Sequence, residues 1–153
     1  MAKAILIPVN PWREFRTGPH GNIAAYREKI NEQGAAFWQL IPPGNWVAAE
    51  FPHSEIRVGY LYDRSSRRVR YKVAISGIRP ISEVPFEEYQ QYGVGRYENQ
   101  SEYDEDSELF YVFTVTEIQE LDPPLSLSDF RKHNTEDPVK LVRNYCIVED
   151  LLA

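Results

Sequence analysis

Leu109 to Leu121, LFYVFTVTEIQEL, carries the strongest strand signal in the chain. β-branched and aromatic residues fill it, and Phe110, Val112, Thr114 and Thr116 alternate with Tyr111, Phe113, Val115 and Glu117, so the two sets point to opposite faces of a sheet. This strand is expected to cross the sheet centrally.

Outward from it, the pattern of β-rich runs and turn residues continues. Arg57–Tyr62 and Val69–Ile78 read as two strands, joined into a hairpin by Asp63, Arg64, Ser65, Ser66, Arg67 and Arg68. Tyr60 and Tyr62 share a face. In the return strand Val69, Tyr71, Val73 and Ile75 fall on one face, and Arg68, Arg70 and Lys72 on the other. Pro85–Tyr92 (PFEEYQQY) predicts a short helix with proline in its first turn, followed by an acidic, tyrosine-containing loop through Glu108 that is expected to be mobile.

Near the start, Lys3–Val9 (KAILIPV) predicts a strand ended by Asn10 and Pro11. Asn22–Gln33 predicts a helix, with Ile23, Tyr26 and Ile30 at helical spacing, Asn22 as N-cap and Gly34 as the stop. Ala35–Ile41 (AAFWQLI) reads as a strand closed by Pro42, Pro43 and Gly44, with Trp46–Ala49 as a short continuation. Towards the end, Ser126–Arg131 reads as a helical turn, and Val139–Ile147 as either helix or strand. The expected fold is therefore α+β: a compact mixed β-barrel of five to six strands flanked by two to three short helices. No repeat, low-complexity tract or linker divides it, so residues 1–153 read as one domain.

Composition narrows the class. A chain of 153 residues, 42% of them apolar, can bury roughly 68–70% of its unfolded surface without staples. One cysteine, Cys146, excludes an internal disulfide and fits a reducing compartment, the cytoplasm; the apolar start is far too short to span a membrane. The net charge of −6 is unevenly distributed, with residues 1–72 carrying eleven Lys or Arg against six Asp or Glu, and the remainder six against seventeen. A basic surface on an acidic protein is compatible with these numbers.

The standard phosphate-loop, dinucleotide, zinc-protease, hydrolase and paired-cysteine motifs do not occur. His20, His53 and His133 lack spaced partners, and Cys146 sits in the apolar stretch NYCIVEDLL, where inert packing is expected. We therefore expect a binding domain rather than an enzyme, with no catalytic residues, cofactor or metal.

Two constellations carry binding chemistry. All three tryptophans, Trp12, Trp38 and Trp46, fall in the first third, beside Asn10, Gln39 and Asn45. Indole faces can sandwich an unpaired base while amides read its edge. The alternative is that these rings are core. The second constellation is Arg57, Arg64, Arg67, Arg68, Arg70 and Lys72, with Arg13, Arg16 and Arg27 adding basic character near Trp12. Such a cluster suits phosphates, or else is a solvated face partnered by the acidic loop of the same chain.

The sequence AFWQL, then GYLYD, a basic turn and RYKVAISGI, resembles the EVE and YTH members of the PUA-like superfamily. The resemblance covers roughly residues 35–78, with support from LFYVFTVTEIQEL and PPLSLSDF. It implies an EVE-type barrel whose aromatic pocket holds a flipped, often methylated, base. Trp38 would be one wall, Trp46 the second, with Tyr60 and Tyr62 in or near the pocket. Related domains stand at the front of McrB-type methylation-dependent restriction proteins, where they choose DNA for motor and nuclease modules. The first expectation is thus a reader of modified DNA, with DNA favoured over RNA and no membrane partner. The alternatives are a modified- or single-stranded-RNA module, and a protein interaction domain that docks its acidic, tyrosine-rich loop on a basic partner.

Overall fold

The computed structural model describes residues 2–9, 23–40, 56–94, 97–106, 111–133, 135–142 and 145–152. Among these residues six strands form one sheet: β1 (Lys3–Val9), β2 (Ala36–Leu40), β3 (Val58–Asp63), β4 (Arg68–Pro80), β5 (Tyr111–Leu125) and β6 (Cys146–Glu149), in the order β2-β5-β4-β3-β1-β6. Among the described residues three α-helices accompany them: α1 (Ile23–Gln33), α2 (Phe86–Tyr92) and α3 (Gln100–Asp106). The protein is α+β with a mixed sheet, as the strand and helix signals imply. β1 and β3 run parallel, which requires a long connection, and α1 lies within it; the other strand pairs are antiparallel. β5 is interior but next to the edge strand β2, one place further out than expected.

The alternation in β5 covers both faces. Phe113 and Val115 join a core with Ile5, Trp38, Val73 and the α1 residues Ile23 and Tyr26, whereas Val112 joins Phe37, Ile81, Tyr89 and Tyr103. A third cluster, around Leu6, Tyr60, Val69, Phe130 and Val148, fills the other side of β1 and β3. The edge strands are partly covered, β2 by a bridge from Phe37 to Gly93 and β6 by one from Val148 to Lys132. Gly93 is required at that approach, because a Cβ there would lie 2.5 Å from the Tyr89 ring and carbonyl.

Three local expectations change. In the hairpin, Leu61 faces Tyr71 but Tyr62 faces Val69, which leaves Arg70 as the extra residue of a bulge. A one-residue slip exchanges faces, so Val69 packs with Tyr60 while Tyr71, Val73 and Ile75 pack with Trp38. The acidic segment contains a folded helix: the Asn99 side chain caps α3 by accepting from Glu102 N at 3.0 Å, and buried Tyr103 donates to the Val84 carbonyl. In the stretch read as helix or strand, no helix forms among the described residues. Val139 N donates to Phe130 O at 3.0 Å, and regular strand begins only at Cys146.

Polar contacts tie the segment after β6 to the core. Tyr60 is fully buried, and its Oη donates to Asp150 Oδ1 at 2.6 Å; Asp150 N in turn donates to Ala2 O at 2.8 Å. Burial, then the hydrogen bond to and charge of Asp150, push the phenol above its usual range, so it remains a donor. Tyr60→Phe is expected to cost about 2 kcal/mol, because it removes the shorter of two hydrogen bonds to Asp150 Oδ1, which also accepts from Leu152 N at 3.2 Å. A urea midpoint unchanged from the parent protein contradicts this.

Candidate nucleic-acid interface

The β3–β4 turn is built on a buried carboxylate. Asp63 is fully buried at the end of β3 and accepts from Ser65 N at 2.9 Å, Ser65 Oγ at 2.7 Å and Arg70 Nη1 at 3.3 Å. Arg67 N closes the turn on Asp63 O at 2.8 Å, and Arg64 N donates to Val9 O at 3.1 Å, joining the turn to β1. Arg67 adopts φ 58°, the left-handed conformation that a tight turn needs and that a non-glycine side chain rarely takes. This turn holds Arg64, Arg67 and Arg68 out in solvent as an exposed group of cations.

The other basic candidates do not join that group. Arg70 is held between Asp63 and Glu120, at 3.3 and 3.2 Å, with its guanidinium 5.7 Å from the centre of the Tyr71 ring. Its charge is met within the chain, though by Asp63 and Glu120 and not by the acidic segment. Lys72 is half-buried on β4, opposite Tyr60 and Gln119. Arg57 lies at the start of β3, about 20 Å of strand from the turn, where its side chain reaches the Ile56 carbonyl.

The aromatic candidates separate as well. Trp38 is 3% exposed and stacks on Tyr26 with ring centres 4.3 Å apart, inside the core under α1. Tyr60 and Tyr62 alternate with Leu61 and belong to the cluster on the opposite face, where Tyr60 is sealed and Tyr62 half-buried. A pocket shared by Trp38, Tyr60 and Tyr62 is therefore not what the chain forms, because strand alternation puts the sheet itself between them. Asn10, Trp12, Asn45 and Trp46, together with His20 and His53, lie outside the described residues.

A different aromatic assembly appears around α2 and α3. Phe37, Phe86, Tyr89, Tyr92, Tyr97 and Tyr103 pack ring against ring, with neighbouring centres 5.2 to 6.1 Å apart. Within it the buried Gln39 amide accepts from Tyr89 Oη at 2.9 Å and donates to Tyr97 Oη at 2.7 Å. Burial, then the neighbouring Tyr97 and Glu88, push the Tyr103 phenol up to about 12. The signal for this assembly was present in PFEEYQQY and YENQSEYDED. Periodicity alone does not show that tyrosines in two separate segments meet.

Beside this assembly a cleft of about 350 Å³ opens between the end of α1, β2 and α2. Phe37, Tyr92, Thr114 and Gln33 line it, and Arg79 and Glu88 form a bidentate ion pair there at 3.2 and 3.0 Å. The Arg79 guanidinium also lies 5.6 Å from the centre of the Phe37 ring. Among the described residues no three histidine, cysteine, aspartate or glutamate side chains are placed to hold a metal ion, and no helix is long and apolar enough to cross a membrane. Burial pushes the Cys146 thiol up, against a smaller opposing effect of Lys132, so it is poorly suited to act as a nucleophile.

The sequence matches no family model and no curated protein. Two solved structures are similar to the chain: the ASCH protein of Zymomonas mobilis, at 13% identity and a TM-score of 0.40 over 81% of this chain and 73% of that one; and a tyrosine-to-phenylalanine mutant of the same protein, at 12% identity and a TM-score of 0.40 over 81% and 76%.

Proposed function

We propose that this chain is a nucleic-acid-binding domain of the PUA-like type, working in the cytoplasm and without catalysis of its own. The observation that carries the reading is the exposed group of Arg64, Arg67 and Arg68 on a turn anchored by buried Asp63. A protein of net charge −6 gains nothing in solubility from clustering three cations, whereas a polyphosphate backbone binds such a cluster by releasing counterions. Phosphate contacts of this kind position a strand without reading its sequence.

The finer reading is a reader of methylated DNA. Trp12 and Trp46 hold a flipped base, Asn10 or Asn45 reads its edge, and motor and nuclease modules in the same or another chain act on the DNA so chosen. It draws on the resemblance of AFWQL, GYLYD and RYKVAISGI to EVE and YTH domains. With Trp38 sealed in the core, base stacking passes to the other two indoles.

Fluorescence anisotropy with matched DNA and RNA, each with and without methylated bases, tests both levels. Reversing the three turn charges together (Arg64→Glu, Arg67→Glu, Arg68→Glu) is expected to weaken binding at least a hundredfold at low salt. It should also flatten the log–log salt slope by about 2.7 on duplex DNA, three phosphate contacts at about 0.9 each. An unchanged slope refutes the interface. Equal affinity for methylated and plain strands refutes the finer reading alone, and Trp46→Ala should lower affinity without changing the melting temperature.

A further inference from the structure

We propose that the cleft between α1, β2 and α2 is a second base subsite, which takes a neutral planar heterocycle bearing an exocyclic amine: adenine, cytosine or guanine in a single strand. This rests on the nucleic-acid reading above and deepens it. The two sites are well separated, since Arg79 and Arg68 stand eleven residues apart on β4, roughly 35 Å along the strand.

The choice of ligand follows from charge and shape. Arg79 and Glu88, each about one-third exposed, are matched in bidentate geometry, so the cleft presents a flat guanidinium with no net positive charge. An anion finds no uncompensated cation there. A flat ring does find a platform, because guanidinium planes and aromatic rings are the surfaces on which unpaired bases stack. Two constraints hold the Arg79 plane still, the Glu88 carboxylate and the Phe37 ring beside it. Tyr92 supplies a further aromatic wall.

The rim decides which ring. Glu88 has acceptor capacity beyond the two Arg79 bonds, and the Gln33 Oε1 acceptor stands at the cleft, where it already takes one bond from Gln91 at 3.2 Å. α1 ends at this point, closed by Gly34 N on Ile30 O at 2.7 Å with Gly34 at φ +84°, and a helix C-terminus carries the negative end of its dipole. An exocyclic amine therefore finds acceptors in Glu88 and Gln33, while a ring nitrogen or carbonyl beside it meets the remaining Arg79 N–H groups, so a base that presents an amine next to an acceptor is matched on both. At about 350 Å³ the cleft is within the range of small-ligand sites.

Free nucleosides test the cleft without involving the turn, since they carry no phosphate. In heteronuclear NMR titrations, adenosine and cytidine are expected to shift the amides of 33–37, 92 and 114 with dissociation constants of about 1 to 10 mM, as befits one stacked base. Uridine should be several-fold weaker. Ala35→Trp, which fills the cleft, should abolish the shifts, and Arg79→Met should weaken them about tenfold. Glu88→Gln, which keeps the shape, should narrow the preference for amino-bearing bases.

The subsite is refuted if no nucleoside at about 10 mM moves those amides, if inorganic phosphate moves them equally well, or if folded Ala35→Trp responds like the parent. The parent protein is the primary sample, so the result does not depend on a variant folding. Cleft shifts without any strand binding would leave the subsite standing and overturn the interface reading; strand binding without cleft shifts would do the reverse.

Discussion

Trp38→Ala is expected to destabilise the protein by about 3–5 kcal/mol, the range for deleting a large aromatic side chain from a packed core. Trp38 is 3% exposed, stacks on Tyr26 at 4.3 Å and sits with Ile5, Ile75 and Phe113 at the junction of α1 and the sheet. Removing it leaves a void bounded by a helix and two strands, whose backbones are held by hydrogen bonds and cannot close in fully. Calorimetry should show a fall in melting temperature of about 6–20 °C, at about 2–4 °C per kcal/mol for a chain of this size. The result separates two roles for the ring. A pocket wall would lose nucleic-acid affinity while the fold stayed near its parental stability, and that outcome would overturn the core assignment.

Asp63→Asn should cost about 3 kcal/mol and remove part of the acid sensitivity of the fold. The carboxylate is fully buried yet accepts from the Ser65 backbone and hydroxyl and from Arg70, so the amide replaces a strong acceptor with a group that partly opposes its donors. Burial alone pushes this carboxyl up, but the hydrogen bonds from Ser65, Ser66 and Arg70 together outweigh it and hold it below its ordinary value of 3.8. A carboxyl lowered on folding contributes its full stability above the unfolded value and loses it as pH falls through the folded one. The parent should therefore lose stability as pH drops below about 4, and Asp63→Asn should lose less over the same interval. Urea unfolding across a pH series measures this, and parallel curves for the two proteins would show that Asp63 is not the group responsible. Because the same residue seats Arg64, Arg67 and Arg68, the substitution should also weaken strand binding.

These two residues show how unevenly the chain can be read. Local pattern was enough for β1, α1 and the hairpin, because a strand repeats at i, i+2 and a helix at i, i+3 and i, i+4. The turn at Ser126 was equally legible: Ser126 and Asp129 form a reciprocal capping box across three residues, inside the span that a sequence window sees. Asp63 looked like an ordinary turn residue. Its weight comes from burial against β1, which no neighbour in sequence announces.

The candidate site was less legible. Trp38 stands in an apolar strand, but which core it enters depends on the pairing of β2 with β5 and on α1 above it. Tyr60 and Tyr62 share a face as the alternation requires, yet that face is turned away from Trp38. The tyrosine cluster was missed because its contacts join segments far apart: Gln39 meets Tyr89 across 50 residues and Tyr97 across 58. The Arg70 bulge likewise depends on how two strands pair rather than on either strand alone.

By itself, then, the sequence determined the α+β class, most strand and helix positions, and the clustering of arginines in one turn, since each is set by interactions between residues a few positions apart. Only the tertiary structure decided which rings are sealed and which border a cleft, and that Arg70 and Arg79 are neutralised while Arg64, Arg67 and Arg68 face solvent. Burial and charge pairing depend on strand order and on contacts across tens of residues, and period-two and period-3.6 patterns contain no information at that range.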